Sequence, residues 1–137
     1  MTSQTALTPE FSWLGLTLLA TALMWLPYVL DRFVRNGIGR TLGFGNAEII
    51  QTAWATRAKA AHANAVENLV VFAPAVLIAH MMSVSTPLTM VAAEGYFVVR
   101  LAHYVVYLLG IPVLRTLSFL AGWAAQLVIL GAIFRLI

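Results

Sequence analysis

The sequence contains no cysteine, and only 9% of its 137 residues carry a charge. Without thiols there can be no disulfide, no cysteine nucleophile, no iron–sulfur cluster and no Cys-based zinc site. Eight Lys/Arg against five Asp/Glu leave a net charge of +3, which supplies no basic patch of the nucleic-acid-binding kind. The three histidines, His62, His80 and His103, have neither tight ligand spacing nor a carboxylate cluster, so no metal is expected. What is abundant is apolar: 61% hydrophobic residues and a mean hydropathy of +0.89 exclude a soluble enzyme and specify an integral membrane protein.

The charges leave free windows at Phe11 to Leu30, Asn68 to Ala93 and Thr116 to Phe134, each about the roughly 20 residues a spanning helix needs. Met1 to Phe11 holds no Lys or Arg, so the first window reads as a retained helix and not a cleaved leader. Pro27 lies near its end and Asp31-Arg32 marks the exit into water. From Asp31 to about Thr56, arginines alternate with Asn36-Gly37, Gly39, Gly43 and Gly45-Asn46, a turn-residue density that predicts a loop. Later breaks at Ser83 to Pro87 and at Gly110-Ile111-Pro112 divide the remainder. The expected fold is all-α: one domain over 1–137, a four-helix membrane bundle of up-down topology with helices near 12–30, 57–82, 88–109 and 113–136. Arg32, Arg35, Arg40, Arg57 and Lys59 flank the first connection and Arg115 the third, whereas the second holds no Lys or Arg. By the positive-inside rule both termini of this multi-pass protein are expected on the non-cytoplasmic side, in the plasma membrane if the source is bacterial.

Ionisable groups within spans are costly and mark candidate sites. Near the start of the second expected helix, Arg57, Asn64 and either Glu67 or Asn68 recur at helical spacing and share a face. On the third, Tyr96, Arg100, His103 and Tyr107 are spaced four, three and four apart and form one stripe. Antiparallel neighbours would bring the stripes together, with Arg100 and His103 as the expected partners of Glu67. At the other end of the same helices, His80 and Glu94 are expected to pair across the short turn. Arg57, Lys59, His62, Arg100, His103 and Arg115 face a single acid in this region, an excess of positive charge that asks for an anionic ligand.

The run Arg57-Ala58-Lys59-Ala60-Ala61-His62-Ala63-Asn64-Ala65-Val66-Glu67-Asn68-Leu69 resembles the signature R-A-x-R-A-x-x-N-x-x-E-N-L of the MAPEG family, the membrane-associated proteins in eicosanoid and glutathione metabolism. Arg100-x-x-His103-x-x-x-Tyr107, followed by Pro112 and Arg115-Thr116, is similar to that family's third-to-fourth-helix segment. The resemblance implies a homotrimer in the lipid bilayer that binds glutathione as cosubstrate between protomers and acts on lipophilic small molecules. It implies that Asn64 and Glu67 hold the glutathione backbone, that Arg100, His103 and Tyr107 line the site with Arg100 and Arg57 near the carboxylates, and that Arg115 stabilises the thiolate. Ala60 departs from the pattern, standing where the family usually carries an arginine, and Val70-Val71 stand where a proline is common.

The expected function is a glutathione transferase or peroxidase consuming lipophilic electrophiles through an arginine-stabilised thiolate, without metal and without nucleic acid. The rival expectation, motivated by Ala60, is a non-catalytic subunit that keeps the fold and has lost the glutathione chemistry. A small exporter is disfavoured, because the first span carries no charge between Glu10 and Asp31 and the polar stripe opens to one side only.

Overall fold

The computed structural model describes residues 7–43 and 48–137, and every regular element among them is helical. α1 (Pro9–Leu23) begins where Thr8 is extended and Pro9 occupies the first turn, a position at which its missing N–H costs nothing. Pro27 then interrupts the run, because its ring collides with the carbonyl four residues back. α1 therefore ends at Leu23, and α2 (Leu26–Leu42) restarts after Met24-Trp25. The Tyr104 hydroxyl donates to the Met24 carbonyl at 2.8 Å, occupying an acceptor that the break leaves open.

The first expected helix, 12–30, is thus two segments, and much of the loop expected from Asp31 is helix. As far as Asn36, α2 is held by the Arg35 guanidinium, which donates to Asp31 one turn back at 3.2 Å, and by the Asn36 amide, which donates to the Arg32 carbonyl at 3.0 Å. At Gly37 the backbone leaves the helical region, with φ of +73° and ψ of 171°, so the turn expected at Asn36-Gly37 is present as a kink beyond which helix resumes to Leu42. Gly45-Asn46 lie outside the described residues. Side chains of α2 also hold the returning chain. Asp31 accepts from the Thr52 N–H at 3.0 Å, and Asn36 exchanges bonds of 2.8 and 2.9 Å with the backbone of Ile50.

α3 (Ala53–Met81) starts earlier than expected, because the Thr52 hydroxyl accepts from the Ala55 N–H at 3.3 Å and caps the first turn. α4 (Pro87–Leu109) opens with a capping box made by Thr86 and Thr89. It closes on Gly110, whose φ of +74° suits glycine best. α5 (Pro112–Ile133) places Pro112 in its first turn as expected and ends slightly short of 136. Five helical segments among the described residues replace the four expected.

α4 packs on α1, α3 and α5, while α3 also packs on α1, α2 and α5. The core centres on Phe72 of α3 stacked on Tyr96 of α4, ring centroids 3.7 Å apart and both side chains fully buried. Ala75, Val76, Ala93 and Ile129 fill in around them. Ala55, Ala58, Ala61 and Ala65 form a buried small-residue line on α3, the device by which membrane helices approach closely. Pro9–Leu42 taken as one run, Ala53–Met81 and Pro112–Ile133 are long and apolar enough to cross a membrane. α4 carries Glu94, Arg100 and His103 and is not among them; Arg100 and His103 point inward and are buried.

His80 and Glu94 do not pair. Glu94 is exposed, and the His80 ring lies 5.0 Å from that of Phe11. The carboxylate that does matter at this end is Glu10, only 2% exposed, which accepts from the Ser85 hydroxyl at 3.0 Å and from the Thr89 hydroxyl at 2.6 Å. It ties the start of α1 to the start of α4. Glu10→Ala is expected to lower stability by about 2 kcal/mol, because it removes the charged acceptor that links α1 to Thr89 of α4 and leaves a hole at a buried position. A fall in the thermal midpoint in detergent, larger than that of Glu10→Gln, checks this.

Candidate functional site

The polar residues converge where α3 and α5 begin and α4 ends. Arg100, 4% exposed, donates from Nη1 to the Asn64 Oδ1 at 3.3 Å and from Nη2 to the Asn68 Oδ1 at 2.8 Å. Glu67 does not meet Arg100. It is exposed on α3, because Asn64 and Asn68 are one turn apart on the inward line while position 67 is rotated about 100° from 68. Of the two residues that could share a face with Asn64, Asn68 is the one turned inward. The Gln126 amide on α5 donates to the Asn68 carbonyl at 3.0 Å and to the Tyr96 hydroxyl at 3.5 Å, joining three helices through one polar network.

One turn further along α4, His103 is held by α5. Its Nδ1 lies 3.1 Å from the Arg115 carbonyl and 2.9 Å from the Ser118 hydroxyl. A carbonyl only accepts, so Nδ1 carries the proton and donates to both. Tyr107 packs edge-on against His103, centroids 5.7 Å apart, and the Arg115 guanidinium lies over the Tyr107 ring at 5.1 Å. Asn64, His103, Tyr107, Arg115, Thr116 and Phe119 line a cavity of about 230 Å³.

Four of the expected site residues, Asn64, His103, Tyr107 and Arg115, therefore share one cavity wall. Arg100 stands behind it, in contact with Asn64 and with the Phe119 ring at 5.6 Å. Arg57 is set apart, its Nε donating at 2.8 Å to the Leu108 carbonyl, where a cation complements the C-terminal end of α4. His62 is also turned away, bonded to the Tyr28 hydroxyl at 3.0 Å. Sequence reasoning missed Gln126, Gly122, Ser118 and Phe119, all within an apolar run. The one available signal was a glutamine among apolar residues, with Gly122 one turn before it on the same face.

The electrostatics are one-sided. Among the described residues the one ion pair is Arg35 with Asp31, so neither Arg100 nor Arg115 is paired with a carboxylate. A buried guanidinium without a counter-ion is expensive, and an anion brought to this region would relieve it. The residues present thus fit an anionic ligand: the Arg115 guanidinium and the Asn64 amide on the wall of a cavity, with the Arg100 guanidinium behind Asn64. No group of His, Asp and Glu able to hold a metal occurs among the described residues.

Apolar helices of membrane-spanning length around an inward polar network define an integral membrane protein with an internal, positively charged site. The model of the MAPEG family matches residues 12–135, nearly the whole chain, and the chain belongs to that family. Membership carries, in general terms, a role in glutathione or eicosanoid metabolism at a membrane. No curated protein and no solved structure matches the chain.

Proposed function

We propose that the protein is a membrane glutathione transferase or peroxidase that delivers the glutathione thiol to lipophilic electrophiles. The observation that carries this reading is Arg115, a guanidinium stacked on Tyr107 at the wall of a cavity that contains no carboxylate. Glutathione supplies the thiol; a free thiol has a pKa of about 8.5 and is mostly protonated at neutral pH, and a neighbouring guanidinium favours its thiolate. His103, by gripping the Arg115 carbonyl, fixes the backbone from which that guanidinium projects. With its thiol ionised the peptide is a dianion overall, matching the surplus of cations. Glu67, exposed on the outer face of α3, would take the ammonium at the boundary with a second protomer. A homotrimer with three such boundaries is part of the proposal, as is a cytoplasmic opening, supported by the arginines gathered at this end.

Calorimetry with glutathione and conjugation of 1-chloro-2,4-dinitrobenzene by the solubilised protein test the reading. Binding by the wild-type protein and turnover above an Arg115→Ala control are expected; absence of both sinks it.

The second reading, a non-catalytic subunit, rests on Ala60. Ala60 and Glu67 are both exposed on α3 and lie seven residues apart, hence on nearly the same outward face. An arginine at 60 would stand at the protomer boundary and not in the cavity. Ala60→Arg is therefore expected to change conjugation by no more than about threefold, the range of an ordinary surface substitution. Activity that appears only in Ala60→Arg would favour the second reading.

A further inference from the structure

Arg100 is seated against a helix backbone. A Cβ built on Gly122 of α5 would stand 2.8 Å from its Nη2, closer than real Cβ atoms come, and 3.0 Å from both Cζ and Nε. The rings of Tyr96 and Phe119, 5.2 and 5.6 Å from Cζ, bound the guanidinium on other sides. Seating it on bare backbone leaves Nε without an acceptor and commits Nη1 to Asn64 and Nη2 to Asn68.

This arrangement decides which end of the Asn64 amide is free. A guanidinium has donors only, so the oxygen of Asn64 must face it, and the Asn68 amide donates to the same oxygen at 3.4 Å. The Asn64 Nδ2 donates to no atom of the described residues, and Asn64 lines the cavity. We infer that Gly122 and Arg100 are positioning residues: by holding the Asn64 oxygen, they leave its NH₂ as the group offered to the ligand, so this wall selects an acceptor oxygen. The inference rests on the glutathione reading and orients it, placing a carbonyl or carboxylate of the peptide, and not its ammonium, against α3 at Asn64.

Asn64→Asp separates positioning from simple support. It keeps the shape and strengthens the link to Arg100, but replaces the donor with a second acceptor. Glutathione affinity measured by calorimetry is expected to fall roughly tenfold or more, the scale of one lost hydrogen bond plus a new repulsion, while the thermal midpoint holds or rises. Wild-type affinity in Asn64→Asp would overturn the inference. Gly122→Ala, which must displace the guanidinium, is expected to cost roughly tenfold in affinity alone and to add nothing further in the Asn64→Asp background.

A second readout needs no ligand. With ¹⁵N-labelled asparagine, the side-chain signal of Asn64 is expected to move in Gly122→Ala and in Arg100→Met, while that of Asn36, bonded to Ile50, stays in place. An unmoved Asn64 signal in both variants overturns the inference. Should the wild-type protein bind no glutathione, the functional reading falls, and these signals still decide whether Gly122 and Arg100 orient Asn64.

Discussion

Arg115→Ala is expected to reduce conjugation of a small electrophile by roughly 10²- to 10³-fold, the scale on which one preorganised charge-stabilising donor is lost from an active site. The argument is local. Arg115 lies in the opening turns of α5, where the guanidinium and the unpaired N–H groups of the helix N-terminus both favour negative charge. The loss should fall on ionisation of the bound thiol more than on binding, because the carboxylates of the peptide have other partners to meet. Glutathione affinity is therefore expected to change by less than about tenfold while the ultraviolet absorption of bound thiolate disappears. Fold loss is not the cause of such a result, since His103 and Ser118 bond to the Arg115 backbone carbonyl, which the substitution retains. Arg115→Lys is expected to recover part of the activity, as a point charge without the guanidinium's stacking on Tyr107. Equal turnover in Arg115→Ala and the wild-type protein would remove Arg115 from the chemistry.

Phe72→Ala is expected to destabilise the bundle by about 3 kcal/mol or more, as large-to-small substitutions in closed cores do. In a bilayer helices are not driven together by water, so packing itself holds them, and a void at the centre is costly. Phe72 and Tyr96 are each fully buried and stack at 3.7 Å. Unfolding in mixed detergent measures the effect, with Val70→Ala on the same helix as a control. Val70 is 68% exposed, and its truncation is expected to cost within about 0.5 kcal/mol. The consequences of Phe72→Ala should extend to the site, because Tyr96 also bounds the Arg100 guanidinium and receives a hydrogen bond from Gln126. A Phe72→Ala protein as stable as Val70→Ala would show that the stacked pair is not the keystone of the core.

The residues that were legible in the sequence are those whose signals are local. The turn from Ser83 to Pro87 and Gly110-Ile111-Pro112 act within a turn of themselves, and helices end and begin at both. Where a local signal misled, another local interaction outweighed it: the glycines after Asp31 suggested a loop, but the Asp31–Arg35 pair and the Asn36 amide keep the chain helical as far as Asn36, and Gly37 supplies a kink beyond which helix resumes. Helical spacing also brought Asn64, Arg100, His103 and Tyr107 onto facing stripes. It could not separate Glu67 from Asn68, because neighbouring positions differ by about 100° and the rotation of the helix is set by what it packs against.

The amino-acid sequence by itself determined that this is a membrane protein and where α4 lies and α5 begins, and it put Asn64 on one polar stripe and His103 with Tyr107 on another, since hydropathy, turn residues and helical period are properties of nearby residues. Tertiary structure alone decided that Asn68 and not Glu67 meets Arg100, that Glu10 is buried among hydroxyls, and that a bare backbone at Gly122 seats the guanidinium. Each of those outcomes is a contact between residues far apart in the chain, settled when the Phe72–Tyr96 stack and the alanine line of α3 fix how each helix is turned toward its neighbours.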